Sequence, residues 1–111
     1  MPRVPLSTIA VARSGDKGPN ANIGVIARAP EHWPAVQREV TDELLRRVFR
    51  DLGPMAIERH PMPNLRAINF VLHDVLSDGG EGSGGSDSLR LDAQGKTLAQ
   101  RLLMAEVDVG E

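Results

Sequence analysis

LSTIAVARSGDKGPNANIGVIA, Leu6 to Ala27, is the stretch from which the rest of the chain can be read. Two apolar, partly β-branched runs, Leu6–Ala12 and Ile23–Ala27, enclose the polar segment Arg13–Gly24. Neither run has a helical period, so each reads as a strand buried on at least one face. Gly15, Gly18, Pro19 and the two asparagines Asn20 and Asn22 mark the segment between them as the connection. Gly24, inside the second run, reads as a bulge or a point of close backbone approach.

Working outward, Arg28–Pro34 (RAPEHWP) is turn-like, and Pro34 suits a first helical turn. Val36, Val40, Leu44, Val48 and Leu52 then recur every four residues, with charged residues on the opposite side. This predicts one amphipathic helix of about four to five turns, stopped by Gly53-Pro54. Met55–Arg59 reads as a short strand ended by HPMPN. Leu65–Leu76 (LRAINFVLHDVL) carries apolar groups on both alternating faces and reads as a central strand. DGGEGSGGSDS, residues 78–88, reads as a flexible loop whose last residues, Ser86, Asp87 and Ser88, suit a helix N-cap. Leu89–Met104 has helical spacing weakened by Gly95, and Ala105–Val109 alternates like a short edge strand. The whole is expected to be one domain, residues 1–111, of α+β class. The order is a β-αββαβ unit with one extra N-terminal strand, a ferredoxin-like two-layer sandwich with an antiparallel-rich sheet and two helices on one face.

Composition narrows the function. The 111 residues carry 13 basic and 15 acidic side chains, a net charge of -2, which argues against nucleic acid or an anionic membrane as partner. Trp33, Phe49 and Phe70 are the only aromatic residues, too few for a base-stacking platform. There is no cysteine, which removes disulfides, thiolate nucleophiles and zinc-thiolate sites and suits a cytoplasmic location. The N-terminal apolar run is short and broken by Pro2 and Pro5, unlike a signal peptide, and nothing approaches the ~20 apolar residues of a spanning helix.

The candidate ligand-binding residues are Arg13, Ser14, Gly15, Asp16, Lys17, Gly18, Asn20 and Asn22, with His73 as an outlying member. Backbone amides in a glycine-containing turn can nest an anion, Lys17 adds a charge, and the asparagines offer donors and acceptors that do not titrate. An equally weighted reading makes the segment a tight connection with a solvated lysine. Gly95-Lys96-Thr97 is not a phosphate-binding loop, because Arg90 stands where its first glycine belongs. As a histidine, His73 is a residue type suited to general-base work, but Asp74 points to the opposite strand face, so it needs another partner. His32, His60 and His73 lack metal-ligand spacing, and neither metal nor cofactor is expected.

The motifs ARSGDKGPNANIGVIAR (Ala12–Arg28), VLHDVLSDGG (Val71–Gly80) and SLRLDAQGKTLAQRLL (Ser88–Leu103) together resemble the small ferredoxin-fold domain of the AtuA, or acyclic terpene utilisation, family. Pro19 departs from the small polar or acidic residue expected there. The resemblance implies a context, the breakdown of terpenoid or branched acyl-CoA compounds, and a larger AtuA-like partner acting in trans on a free-standing small chain. It implies no established catalytic residue. Two readings follow. One is an accessory or ligand-binding module, expected to be a homo-oligomer, holding an acyl-CoA or carboxylate ligand. The other is a small hydratase, lyase or isomerase acting on an acyl-CoA thioester through the SGDKG segment.

Overall fold

The computed structural model of the chain describes residues 3–17, 20–52, 56–73 and 97–109. Its main sheet has four antiparallel strands in the order β2-β3-β5-β4, formed by β2 (Ala10–Lys17), β3 (Asn20–Ala27), β4 (Ile57–Met62) and β5 (Ala67–Leu72). A separate two-stranded ribbon pairs β1 (Arg3–Pro5) with β6 (Glu106–Asp108). The helical layer holds α1 (Trp33–Glu39), α2 (Asp42–Val48) and α3 (Leu98–Leu103). This is the ferredoxin-like α+β sandwich expected, with β5 inserted between β3 and β4.

Alternation along the strands decides which face is covered. Ala21, Ile23, Val25 and Ala27 of β3 and Ile68, Phe70 and Leu72 of β5 are buried. Register sets Ile23 opposite Phe70 and Val25 opposite Ile68, so one pleat face supplies the core. Val36, Leu44, Leu45, Phe49, Leu98 and Leu102 close it from the helical layer. Each fully buried side chain of this size contributes about 1.5–3 kcal/mol. Exposed ion pairs contribute ~0–1 kcal/mol, so the apolar layer holds the fold.

Several elements differ from the sequence reading. The described residues of the Arg13–Gly24 segment are strand: β2 extends to Lys17 and β3 starts at Asn20, paired from Ala10↔Ala27 to Lys17↔Asn20. Glycine and asparagine are poor strand formers in isolation, but pairing of β3 with β5 on its other side overrides that preference. The Leu6–Thr8 part of the first run is instead a 3-10 turn that buries Leu6. Nor is the middle helix continuous. It breaks at Val40, which is extended, and restarts at Thr41, whose side chain accepts a hydrogen bond from the Leu44 amide at 3.2 Å. Arg59 of β4 donates to the carbonyls of Val40 (3.1 Å) and Gln37 (2.8 Å), satisfying the end of α1. Arg101 of α3 donates to the Val48 carbonyl at 3.2 Å and lies over the Phe49 ring, so it does the same for α2.

Finally, β4 does not stop before HPMPN but continues through Pro61 to Met62. It is an edge strand, where a missing N–H on the outer side breaks no ladder bond. At the C-terminal end, α3 begins at Thr97, which forms a reciprocal capping box with Gln100. Thr97 of the GKT triplet therefore has a structural role, while the glycine-rich loop, Gly95 and the Ser86–Ser88 caps lie outside the described residues. The last strand leaves the main sheet for the β1 ribbon, and β2 takes the edge beside β3.

The break in the middle helix yields a test of opposite signs. Thr41→Ala should lose about 1 kcal/mol of stability in urea denaturation, the usual worth of an N-cap. A continuous helix would instead gain roughly 0.5 kcal/mol from the better helix former.

Candidate functional site

Because the odd residues of β3 face the core, its even residues face away from the described helices. Register carries the same division across the sheet. Three rows cross this open face: Val11, Ile26, Ala67 and Met62; then Arg13, Gly24, Asn69 and His60; then Gly15, Asn22, Val71 and Glu58. The first row is apolar and partly exposed, with Val11 at 38%, Ile26 at 41% and Met62 at 37%. The other two hold most of the chemistry.

Glu58 is the centre of a three-residue cluster. Its Oε1 lies 2.9 Å from His60 Nε2 and its Oε2 lies 2.6 Å from His73 Nε2. His60 is two residues along the same strand, hence on the same face. His73 follows β5, and its amide donates to the Ala56 carbonyl at 2.9 Å, extending the β4–β5 pairing by one step. Hydrogen bonds from His73 and then His60 hold the Glu58 carboxyl below its ordinary value, against a smaller opposing effect of desolvation. An ionised carboxylate only accepts, so each Nε2 carries its proton toward Glu58. In the neutral ring this leaves Nδ1 as an acceptor, the arrangement a carboxylate imposes on a histidine that takes up protons.

The residues singled out in the sequence divide. Arg13, Gly15 and Asn22 lie on the open face, and His73 joins them through Glu58. Ser14 falls on the core side, opposite Ile23. Asp16 and Lys17 pair in register with Ala21 and Asn20. Gly18 lies outside the described residues. From Ala21 to Ile26 the strand is paired with both β2 and β5, so these amides are ladder partners. What the segment contributes is side chains on a rigid sheet. At Gly15 a Cβ would sit 2.8 Å from Asn22 Oδ1, so any side chain there would have to displace the Asn22 amide.

Glu58, His60 and Asn69 escaped the sequence reading. The signal was present in I-E-R-H-P-M, where Glu58 and His60 are two apart, but reading Pro61 as a strand terminator left His60 outside the strand. Among the described residues no group of three metal-ligating side chains is placed to hold a metal ion, and no helix is long and apolar enough to cross a membrane.

A second concavity, about 290 Å³, lies between the β1–β6 ribbon and the α1–α2 corner. Its charges are largely engaged with one another. Arg38 bonds Glu39 and the Asp108 carbonyl, Glu39 accepts from the Asp108 amide, and Arg3 meets Glu106. These contacts tie the ribbon to α1, and we assign the cleft a structural role.

A family model, the AtuA ferredoxin-like domain, matches residues 4–108, and the chain belongs to that family. No curated protein and no solved structure matches the chain.

The Glu58 cluster makes stability depend on pH with a defined sign. Its folded-state pKa is lowered, so its stabilising contribution is present above the ordinary carboxylate range and is lost as pH falls through the folded value. Glu58→Gln should therefore lower the melting temperature at pH 7, and the gap to the wild type should narrow as pH falls below the ordinary carboxylate range. A gap that stays constant through that range would contradict the assignment.

Proposed function

We propose that this AtuA ferredoxin-like domain is an accessory, ligand-binding module whose open sheet face takes an acyl-CoA or carboxylate ligand. We further propose that it works beside a larger AtuA-like protein, in the cytoplasm, in the breakdown of terpenoid or branched acyl compounds. The observation that carries the reading is the sorting of groups between the two faces. One face is an apolar core sealed by helices; the other gathers a guanidinium, two asparagine amides and two carboxylate-held imidazoles beside an apolar row. Such convergent polar groups next to apolar surface suit an amphiphilic ligand with a polar end.

On this face Glu58 and His60 are about half exposed. An open site of this kind does not exclude water by itself, which favours a second surface closing over it. A partner protein or another copy of the chain would supply that surface, and the family context favours the larger AtuA-like protein.

A second reading, catalysis, rests on Glu58. A carboxylate that fixes the tautomer of a histidine prepares it to move a proton at Nδ1. On that reading an acyl-CoA thioester is the substrate, and Arg13 and the asparagine amides hold the charge that develops on its carbonyl oxygen.

A thermal-shift panel of CoA thioesters and free acids separates these ideas. Binding at 100 times Kd should add about 2.7 kcal/mol of stability, a rise on the order of 10 °C. The module reading expects such a rise for members of the panel, reduced in Arg13→Ala and without turnover. Turnover that is lost in Glu58→Gln would establish the enzyme. No shift with any compound, together with no complex with the larger protein at micromolar concentrations, would sink the proposal.

A further inference from the structure

Among the described residues, nothing around position 24 requires a glycine. A glycine inside a strand is less stable than alanine and is usually explained by backbone conformation, a bulge or crowding. None of these holds. Gly24 does not have positive φ, the pairing with Arg13 and Asn69 runs through it without a bulge, and among the described residues a Cβ built there meets only Asn69 Oδ1, at 4.0 Å. The contrast with Gly15, which is crowded by Asn22, is direct. Leaving out a side chain at position 24 keeps a gap in the middle of the open face.

The gap has chemically distinct sides. Arg13 stands on one side and makes no hydrogen bond or ion pair with any described residue. Asn69 stands on the other, half-buried, with its amide nearest the gap, and His60 follows it in the same row. Adjacent strands are ~4.8 Å apart, so Arg13 and Asn69 are separated by ~10 Å across the glycine. That leaves room for a small planar group between their side chains.

We propose that the gap over Gly24 is a carboxylate-binding slot for an acid carrying a hydrocarbon segment. Arg13 pairs with the carboxylate through its planar fork, and the Asn69 amide, turned to present Nδ2, donates from the other side. A single guanidinium neutralises one negative charge, while the ionised Glu58 one row away disfavours a dianion such as phosphate. The hydrocarbon segment lies on the neighbouring apolar row, where Ile26 is two residues along the strand from Gly24, ~7 Å away. This inference rests on the reading of the open face as a ligand surface.

The test is titration of the ¹⁵N-labelled full chain with sodium hexanoate, with inorganic phosphate and hexanol as controls. Hexanoate should shift the amides of Arg13, Gly24 and Asn69, and neither control should do so at the same concentration. Gly24→Val should weaken hexanoate binding at least tenfold, and Arg13→Gln by about tenfold. Gly24→Ala should melt at or above the wild-type temperature, showing that the fold does not need the glycine. Hexanoate binding that survives Gly24→Val overturns the slot but leaves the open-face reading standing. Phosphate binding as tightly as hexanoate overturns the carboxylate assignment. The absence of hexanoate binding overturns the slot, while the open-face reading is then judged on the CoA-thioester panel.

Discussion

The position of β3 between β2 and β5 is the constraint from which the rest of the structure follows. Its pairing on both sides fixes register twice, and a strand's side-chain period of two turns register into a choice of face. Ile23 and Val25 are thereby committed to the core opposite Phe70 and Ile68. Asn22 and Gly24 are committed to the other side by the same geometry. A slip of one residue would drive asparagine under the helices and isoleucine into water. Burying an unpartnered amide is penalised by roughly 1–3 kcal/mol on mutational scales, and the aliphatic burial would be lost as well. The chemistry of the open face is thus held in place by the same contacts that stabilise the fold.

Two arginines allow the helical layer to fit over this sheet. A straight helix from Pro34 to Leu52 would continue along one line. The observed pieces turn at Val40–Thr41 and end at Phe49, exposing carbonyl groups at each end. Arg59, projecting from the core side of β4, and Arg101, from α3, donate to those carbonyls. On the opposite side of the same strand, Glu58 and His60 build the polar cluster. β4 thus supports the helix layer with one alternation of its residues and equips the open face with the other.

Much of this was legible in the sequence, and the failures have identifiable causes. The α+β class, the strand character around Val25 and Phe70, and the ferredoxin-like order follow from hydrophobic periodicity, and the family match over residues 4–108 agrees with them. The helix break was not legible as periodicity, because Val40 and Leu44 stay buried on both sides of it; the signal was the capping side chain of Thr41. Pro61 misled because its meaning depends on edge position, which is a property of the sheet. The Arg13–Gly24 segment misled in the other direction: its residues favour a loop locally, and pairing with β5, more than forty positions away, makes them a strand. Arg13, Asn22 and His73 were legible as candidate residues, and register places Arg13 and Asn22 on the open face. Glu58 was not legible, since the contact between Glu58 and His73 joins two strands.

Side-chain footprinting of the bound state, with whichever acid, thioester or partner protein stabilises the chain, tests the central claim most directly. Histidine- and arginine-specific reagents reach both layers, and the modified positions tell them apart. The account predicts protection of Arg13, His60 and His73 on the open face, with Arg46, Arg47 and Arg50 on the helical layer still reactive. Protection confined to Arg46, Arg47 and Arg50, with Arg13 and His60 unchanged, would place function on the helical side and contradict it.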